Sequence, residues 1–367
     1  MVVEISDWND LDNVRNDLDG DYVLVNDLDS STAGYTGIGD DFEPIGFIPD
    51  DDFGFAFGGS FDGDGFQISD VVIEYDDEGD IGLFASASGA LIENLSVDGS
   101  VTVTNGGRLH GGLVGIFRGD IVQNCVSHVD VTSDGDRVAG LLGQNNGLVT
   151  DSYATGSVVG SNTVGGLVGR NDADAGSAEI QRSYAVGLVS GNSNVGGLVA
   201  EDRDGTAIVE DSYWDTEATE QSTSAGGTGL TTDEMQGSEA ETNMTGFDFA
   251  NVWNSVLESD ADASADGYPI LIAADRENQL NAQGILVPTV DITGQITLDE
   301  TGVGTADVIG FNLTNNEFGG KTETDTEGNY TLTVAGTEEG SGDTIAVAVD
   351  FDDGTERYGR LVTTVLE

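Results

Sequence analysis

The chain has 367 residues, of which 68 are acidic and 11 basic, so its formal net charge is −57. This length suffices for one large domain and a small one. The sequence has no basic patch that could bind phosphate, which excludes nucleic acid as a partner. It also has no run of ~20 apolar residues, which excludes insertion into a membrane. The charge predicts a protein adapted to molar salt, where the Debye length shrinks to about 3 Å, and hence a halophilic host, an archaeon.

The start of the chain predicts a helical cap and no secretion signal. The segment "MVVEISDWND" has neither a basic n-region nor an apolar h-region. Residues 6–18 have the pattern of a short amphipathic helix with Ser6 as its cap. The apolar side of this helix consists of Trp8, Leu11, Val14 and Leu18. We expect the helix to plug the end of the domain and to protect its edge strand.

A short apolar phrase then recurs five times, as "IGLFA", "GGLVG", "AGLLG", "GGLVG" and "GGLVA". The second residue of each phrase is a glycine, at steps of about 26 to 31 residues: Gly82, Gly112, Gly140, Gly166 and Gly197. A fixed period of this length is typical of stacked repeats, in which each unit buries its apolar face against the next. Runs of β-branched residues between turns predict two or three strands per coil over about residues 76–215. The sequence therefore predicts a parallel β-helix.

Two further expectations concern the side chains of each coil. Within the phrase, Leu and Val should point to opposite sides of the chain, and the glycines should allow a tight turn without a Cβ clash. Tyr153, Tyr184 and Tyr213 share one repeat position, so their rings should stack about one strand spacing apart. Such a column binds sugar rings on an outer face or fills a sheltered ladder, and we favour the sheltered ladder.

The end of the chain predicts a second cap and a second domain. Thr231 and Glu234 have capping-box spacing, and the aromatic residues that follow should pack under the last coil: Phe247, Phe249 and Trp253. Later segments alternate apolar and polar residues at period two, which predicts a small β-sandwich. The predicted domains are residues 1–275 for the capped β-helix, 276–287 for a connector and 288–367 for the sandwich.

The repeats resemble those of a known family. "GGLVG" followed by "SYATGSV" (152–158) and "SYAVGLV" (183–189) is similar to the GLUG-type repeat of bacterial and archaeal surface proteins. Segments similar to that family's opening and closing parts occur in order, at 7–29, 42–46, 59–73, 212–235 and 266–272. "TDTEGNYTLTV" (324–334) resembles carboxypeptidase-regulatory-like and Ig-like surface modules. The resemblance implies an all-β fold, with a right-handed parallel β-helix followed by a small β-sandwich, and a role on a surface without catalytic residues.

The residues that most often perform catalysis give little support to an enzyme. His110 and His128 are the only histidines and occupy non-equivalent repeat positions, which argues against a paired base or a metal site. Cys125 is the single cysteine and occupies a position held by Ser152 and Ser183 in later repeats, so we expect a small core residue rather than a nucleophile. No disulfide can form within the chain.

The segments "RNDADAG" (170–176) and "EDRDG" (201–205) leave the same edge of the predicted coils. Clustered carboxylates on adjacent coils could cleave a polysaccharide, but in so acidic a chain clusters arise from composition alone. We expect a binding edge or a place for cations, formed by Arg170, Asn171, Asp172, Asp174, Glu201, Asp202, Arg203 and Asp204. No cofactor is expected beyond structural Na⁺, K⁺, Mg²⁺ or Ca²⁺ from brine.

Three functions are compatible with these features. A rigid rod with variable edge loops suits display, so the first hypothesis is a virion surface protein of a halophilic virus: a capsid turret, spike or tail fibre. Such a protein would contact other virion proteins and itself, as a trimer or pentamer, and a host cell-surface glycan or glycoprotein. The alternative is a cell-surface adhesin or cell-wall-associated protein of a halophilic archaeon. A polysaccharide-cleaving enzyme is the third hypothesis.

Overall fold

The structure is a computed structural model that describes residues 1–46, 55–76, 79–104, 106–173, 178–203, 205, 207–260 and 262–286, and strands only from 289 onward. The chain divides into two compact units, residues 1–255 with 268–279, and residues 256–267 with 280–367. The all-β class and the parallel β-helix are confirmed. The predicted domain boundaries stay predictions, and a helix, Arg276–Ala282, lies in the segment predicted as a connector.

Four parallel sheets run along the first unit. The first sheet contains Val2–Ile5, Asp21–Leu24, Ser60–Asp62, Leu91–Glu93, Ile121–Gln123, Leu148–Thr150, Glu179–Gln181 and Ile208–Glu210. The second contains Gln67–Tyr75, Ser96–Val103, Val126–Ser127, Asp130–Ser133, Tyr153–Ala154, Val158–Val159, Tyr184–Ala185, Val189–Ser190, Tyr213–Asp215 and Thr228–Leu230. The third contains Leu109–Gly111, Arg137–Ala139, Thr163–Gly165 and Val195–Gly196. The fourth contains Phe84–Ser88, Val114–Arg118, Leu142–Asn145, Val168–Asn171 and Val199–Asp202.

The four coils that begin at Leu91, Ile121, Leu148 and Glu179 visit the four sheets in the same order, and the last three of them cross the second sheet in two short strands. The expectation of two or three strands per coil was therefore too low. The physical reason is that bends interrupt the chain more often than the repeat period suggests, so the strands are mostly two to four residues long. Equivalent residues stack in register, as Val122 does between Ile92 and Val149.

The stacked coils enclose one interior cluster of buried apolar residues. Leu167 and Val168 of one "GGLVG" phrase both belong to this cluster and are fully buried. The expectation that the two side chains point to opposite sides was wrong. The chain bends at Gly166 and Leu167 before the strand Val168–Asn171 begins, so both side chains turn inward.

The second glycine of the phrase is required by a close approach between coils. The N–H of Gly166 donates to the carbonyl O of Gly196 at 3.2 Å, and a Cβ at Gly166 would overlap the carbonyl O of Gly197. At Gly140 a Cβ would lie 2.5 Å from the carbonyl O of Gly166. The backbone torsion φ of these glycines is not in the left-handed region, so a side chain is excluded by the neighbouring coil rather than by backbone strain.

A column of left-handed residues forms the corner between the first and second sheets. Its members have φ between 45° and 53°: Asn94, Asn124, Asp151, Arg182 and Asp211. Asn and Asp tolerate this conformation because their short polar side chains form local hydrogen bonds. Asn124 donates to the Oδ1 of Asn94 at 3.0 Å, which links adjacent coils. Arg182 is held instead by ion pairing with Asp151 at 2.7 Å.

The amino-terminal cap consists of a short helix, Trp8–Asn13, continued by a 3₁₀ turn, Val14–Asn16. Its cap is Asp7, whose carboxylate accepts from the N–H groups of Asn9 and Asp10, so the expected Ser6 cap was wrong. A carboxylate satisfies two free N–H groups and also complements the helix dipole. Three of the four predicted apolar residues are fully buried: Trp8, Leu11 and Val14.

One further 3₁₀ turn, Gly39–Asp41, lies between the strands Asp21–Leu24 and Ser60–Asp62. The other short elements follow the coils: the helices Thr232–Met235 and Gly237–Asn243, and the strands Trp253–Val256 and Gly267–Leu271. The capping box of Thr231 and Glu234 is present. At the last coil, Thr219, Thr223 and Ala225 extend the backbone hydrogen bonding of Val189, Gly197 and Val199, so this segment covers the end of the interior.

The second unit contains antiparallel sheets. One pairs Thr289–Gln295 with Asn329–Ala335, and a small one pairs Thr297–Leu298 with Thr301–Gly302. A four-stranded sheet has the order Glu317–Glu323, Asp307–Asn312, Thr344–Asp352 and Arg357–Val365. The period-two alternation of the sequence agrees with these extended strands.

Candidate binding edge

The binding edge predicted from the sequence lies on two neighbouring strands of the fourth sheet. The strands Val168–Asn171 and Val199–Asp202 pair in parallel, with Arg170 opposite Glu201 and Asn171 opposite Asp202. The structure therefore brings these two pairs together. Asp174 and Asp204 lie outside the described residues.

Arg170 and Glu201 form a partly exposed ion pair. The Arg170 Nε and Nη2 atoms lie 2.8 Å and 2.7 Å from the same carboxylate oxygen, Glu201 Oε2. The side chains are 16% and 30% exposed, respectively, so solvent and a ligand can reach the pair. An exposed pair of this kind stabilises the fold by at most about 1 kcal/mol and leaves part of the carboxylate available.

Asn171 and Asp172 have structural roles that the sequence did not reveal. Asn171 is fully buried, and its Oδ1 accepts from the Nδ2 of Asn145 at 2.8 Å on the preceding coil. Asp172 is 2% exposed, and its Oδ2 lies 3.0 Å from the Nη1 of Arg203. Asp202 accepts from the N–H of Gly205 at 3.0 Å. The accessible groups of the edge are therefore the Arg170–Glu201 pair, Asp202 and the half-exposed Arg203.

The tyrosine column is sheltered, as expected. The rings of Tyr153 and Tyr184 stack with centroids 4.7 Å apart and planes 5° apart. Both residues are fully buried, and Tyr213 is 5% exposed. Each hydroxyl donates to a later part of the chain: Tyr153 to Gln279 Oε1, Tyr184 to the carbonyl O of Pro269, and Tyr213 to that of Thr245. Burial raises the pKa of Tyr184 well above 10, so the hydroxyl stays a donor.

The residues that cover the column form an outer cluster, separate from the interior cluster. Its buried members are Val126, Tyr153, Tyr184, Val186, Tyr213, Met235, Ala240, Met244, Phe247, Trp253, Leu271 and Ala274. The Trp253 ring lies 6.0 Å from Tyr153 and 5.7 Å from Tyr184, which belong to different coils. The expectation that Phe247 and Trp253 pack under the last coil was wrong: the segment lies along the side of several coils, because the tyrosine rings there offer it a flat apolar surface.

A buried carboxylate anchors this closing segment. Asp215 is fully buried, and its Oδ2 accepts from Thr232 Oγ1 and Tyr268 OH, each at 2.7 Å. Its Oδ1 accepts from the N–H groups of Glu217 and Ala218. Four donors compensate the desolvation of the charge, and this satisfied site fixes the closing segment to the last coil.

The histidines and the cysteine are buried and unsuited to chemistry at neutral pH. Burial lowers the pKa of His110 and of His128 to about 4. The His110 Nδ1 lies 2.6 Å from Ser133 Oγ, and the His128 Nδ1 lies 2.6 Å from Thr155 Oγ1. Burial raises the pKa of the Cys125 thiol to about 12, so the nucleophilic thiolate is hardly populated.

The residues that the structure describes form no evident metal site. Among them, no three His, Cys, Asp or Glu residues come together as a group that could hold a metal ion. The expected structural cations therefore stay a prediction. Among the helices that the described residues form, none is long and apolar enough to span a membrane.

Arg137 is the residue that sequence reasoning missed. It lies on the third-sheet strand Arg137–Ala139, and the charges of Arg170, Glu201 and Arg108 act on it. The three arginines are 29 to 62 residues apart in the sequence (108, 137 and 170), so no local motif joins them. Two features of the sequence together could have indicated that these arginines lie close to one another: the register of the coils and the scarcity of basic residues.

The comparisons with known proteins point to one relative. No family model matches the chain, and no solved structure matches it. The chain is 32% identical over 290 residues to halomucin of Haloquadratum walsbyi (strain DSM 16790 / HBSQ001), a halophilic archaeon. The match covers 68% of this chain and 3% of halomucin, so the chain spans only about 3% of that relative's length. The chain is thus similar to a small part of a very long archaeal protein.

Proposed function

We propose that the chain is a non-enzymatic β-helical module of a cell-surface or extracellular protein of a halophilic archaeon. The observation that carries the proposal is the similarity to halomucin over 68% of the chain. The net charge of −57 supports the same environment, because molar salt screens the repulsion that such a surface generates. Because halomucin belongs to an archaeon, the similarity favours a cell-surface protein over our first hypothesis, a virion surface protein.

The architecture supports display rather than turnover. Stacked coils produce a rigid module whose edge loops vary without disturbing the interior. The histidines and Cys125 are buried, and the carboxylates of Asp172 and Glu201 are engaged with arginines. We propose further that the module needs no organic cofactor, belongs to the GLUG-type repeat proteins and contacts a cell-surface glycan or glycoprotein.

Immunogold electron microscopy in molar salt tests this proposal. An antibody against the purified chain would be applied to host cells, culture supernatant and purified extracellular particles. We expect label on the cell envelope or on material released from it. Label confined to virions would overturn the proposal in favour of the virion function, and label confined to the cell interior would overturn both.

A further inference from the structure

One arginine of the described chain has no partner for its guanidinium. No hydrogen bond or ion pair joins the Arg137 side chain to a described residue, and its Nε is buried without a partner. The other described arginines are all engaged: Arg15 with Asp12, Arg170 with Glu201, Arg182 with Asp151, Arg203 with Asp172, and Arg108, Arg118 and Arg276 in other contacts. In a chain with 68 acidic residues, an arginine that pairs with none of the acidic residues that the structure describes requires an explanation.

The fold holds Arg137 beside other cations. Its N–H donates to the carbonyl O of Arg108 at 2.8 Å, which fixes the two residues on adjacent coils. Gly169 lets the fourth sheet approach, since a Cβ there would lie 3.3 Å from the Arg137 carbonyl carbon. The next residue along that strand is Arg170. The backbone therefore sets the Arg137 and Arg170 side chains on neighbouring strands.

Arg137 and the charged groups that act on it together have a net positive charge. Burial and the adjacent guanidinium of Arg170 lower the pKa of Arg137, and Arg108 acts in the same direction. Glu201 and Asp136 oppose this effect. Three guanidiniums, including that of Arg137, are thus balanced by two carboxylates, and Glu201 is already bound to Arg170. The buried Nε–H of Arg137 is expensive to leave unsatisfied, so this half-buried cation is suited to an additional anion.

We propose that Arg137, with Arg170 beside it, binds the acidic group of a polysaccharide, a carboxylate or a sulfate ester. Both groups offer two acceptor oxygens that match the planar fork of a guanidinium, whereas chloride offers one acceptor atom. This inference rests on the proposed function, because it names the ligand chemistry of a displayed module. The binding edge then extends from Arg170 on the fourth sheet to Arg137 on the third.

Brine makes such binding feasible in spite of the protein's own charge. At 1 M salt the Debye length is about 3 Å, so the remaining carboxylates of the surface hardly repel an acidic polymer. A direct contact between ions survives this screening far better than long-range attraction does. Binding should therefore depend on the local geometry at Arg137 and not on the net charge.

Calorimetric titration in molar KCl tests the inference with three polymers: polygalacturonate for carboxylates, dextran sulfate for sulfate esters and dextran as the neutral control. The variants are Arg137→Gln, Arg137→Lys and, as a matched control at a distant ion pair, Arg15→Gln. We expect the wild type to bind one or both acidic polymers and not dextran. Arg137→Gln should weaken binding at least about tenfold, Arg137→Lys should weaken it less, and Arg15→Gln should leave it unchanged.

The polymer that binds identifies the acidic group. Absence of saturable binding, or equal affinity of Arg137→Gln and the wild type, would overturn the inference. The melting temperature of Arg137→Gln distinguishes a binding defect from a folding defect, because removal of an unpaired, half-buried cation should leave the melting temperature unchanged or raise it. If the antibody labels the envelope or material released from it and no polymer binds, only the ligand assignment is overturned. If the antibody labels neither, the proposed function is overturned.

Discussion

The interior cluster and the outer cluster of the first unit are built on different principles. In the interior cluster, successive coils place similar β-branched residues at the same position: Ile92, Val122, Val149 and Ile180. Each coil packs only on its two neighbours. The outer cluster joins the tyrosine column to a segment without repeats, and its hydrogen bond from Tyr153 to Gln279 spans 126 residues.

The two clusters therefore contribute to stability in different ways. The stabilising free energies of the contacts between successive coils add along the stack, as in other repeat proteins. The outer cluster closes a long loop, so it forms at a larger entropic cost and stabilises the fold only when the coils are already in place. We therefore expect the outer cluster to be lost before the coils.

Removal of salt should produce the largest effect on both regions. Transfer from molar salt to about 0.1 M lengthens the Debye length to about 10 Å and restores repulsion among the acidic groups. We expect the melting temperature to fall steeply and the near-ultraviolet signal of the outer cluster to disappear before the far-ultraviolet β signal. Full retention of both circular dichroism signals in dilute buffer would contradict the halophilic assignment.

Gly166→Val should break the interior most severely among single substitutions. The new side chain would overlap the carbonyl O of Gly197 on the next coil, and we expect a loss of more than about 3 kcal/mol in the free energy of unfolding. Urea titration in molar salt measures this loss. The control is Gly89→Asn, because Gly89 has a φ of 68° and open space around it. This substitution should lower the free energy of unfolding by less than about 1 kcal/mol.

Trp253→Ala should separate the two clusters. Trp253 is fully buried, stacks on Phe247 and reaches the tyrosines of two coils, so the outer cluster should lose about 3–5 kcal/mol. We expect the near-ultraviolet aromatic signal to collapse at low urea while the far-ultraviolet β signal persists. Simultaneous loss of both signals would show that the clusters unfold as one unit, and Trp253→Phe serves as the milder control.

Acid should destabilise each region through one histidine. The folded pKa of His110 and of His128 is about 4, below the usual 6.5, so the stability is fully present above pH 6.5 and is lost as the pH falls toward 4. Each histidine accounts for about 3 kcal/mol over this range. His128, whose ring lies 5.9 Å from Tyr153, borders the outer cluster.

We therefore expect His128→Phe to flatten the acid sensitivity of the aromatic signal, and His110→Phe that of the β signal. Denaturant titrations at pH 7 and pH 4.5 provide the measurement. If both variants lose as much free energy of unfolding between pH 7 and pH 4.5 as the wild type does, carboxylates and not these histidines cause the acid sensitivity.

Cys125→Ser should have the smallest effect. The thiol contacts the carbonyl O of Gln123 at 3.3 Å, and Ser152 donates to the carbonyl O of Thr150 at 2.8 Å in the same way one coil later. We expect a change of less than about 1 kcal/mol. The native thiol should also resist alkylation until urea unfolds the coils, and rapid labelling of the folded protein would contradict its burial.

The repeat period and the residues of the coils could be predicted from the sequence, because a residue type at a constant step must stack on its copies. The sheltered position of the tyrosine column, the capping box at Thr231 and the small core character of Cys125 followed from the same reasoning. The number of strands per coil and the inward direction of both Leu167 and Val168 did not. Bends at glycine positions decide these features, and glycine permits many conformations.

The chain alone fixes the formation of stacked β coils and the repetition of their interior, because periodicity is a property of the sequence. Its charge of −57 likewise predicts that the surface needs salt. Three features emerge only in the tertiary structure: the position of the closing segment, the burial of Asn171 and Asp172, and the electrostatic interaction of Arg137 with Arg170. These features depend on contacts between residues far apart in the chain, for which a sequence without local motifs gives no distance.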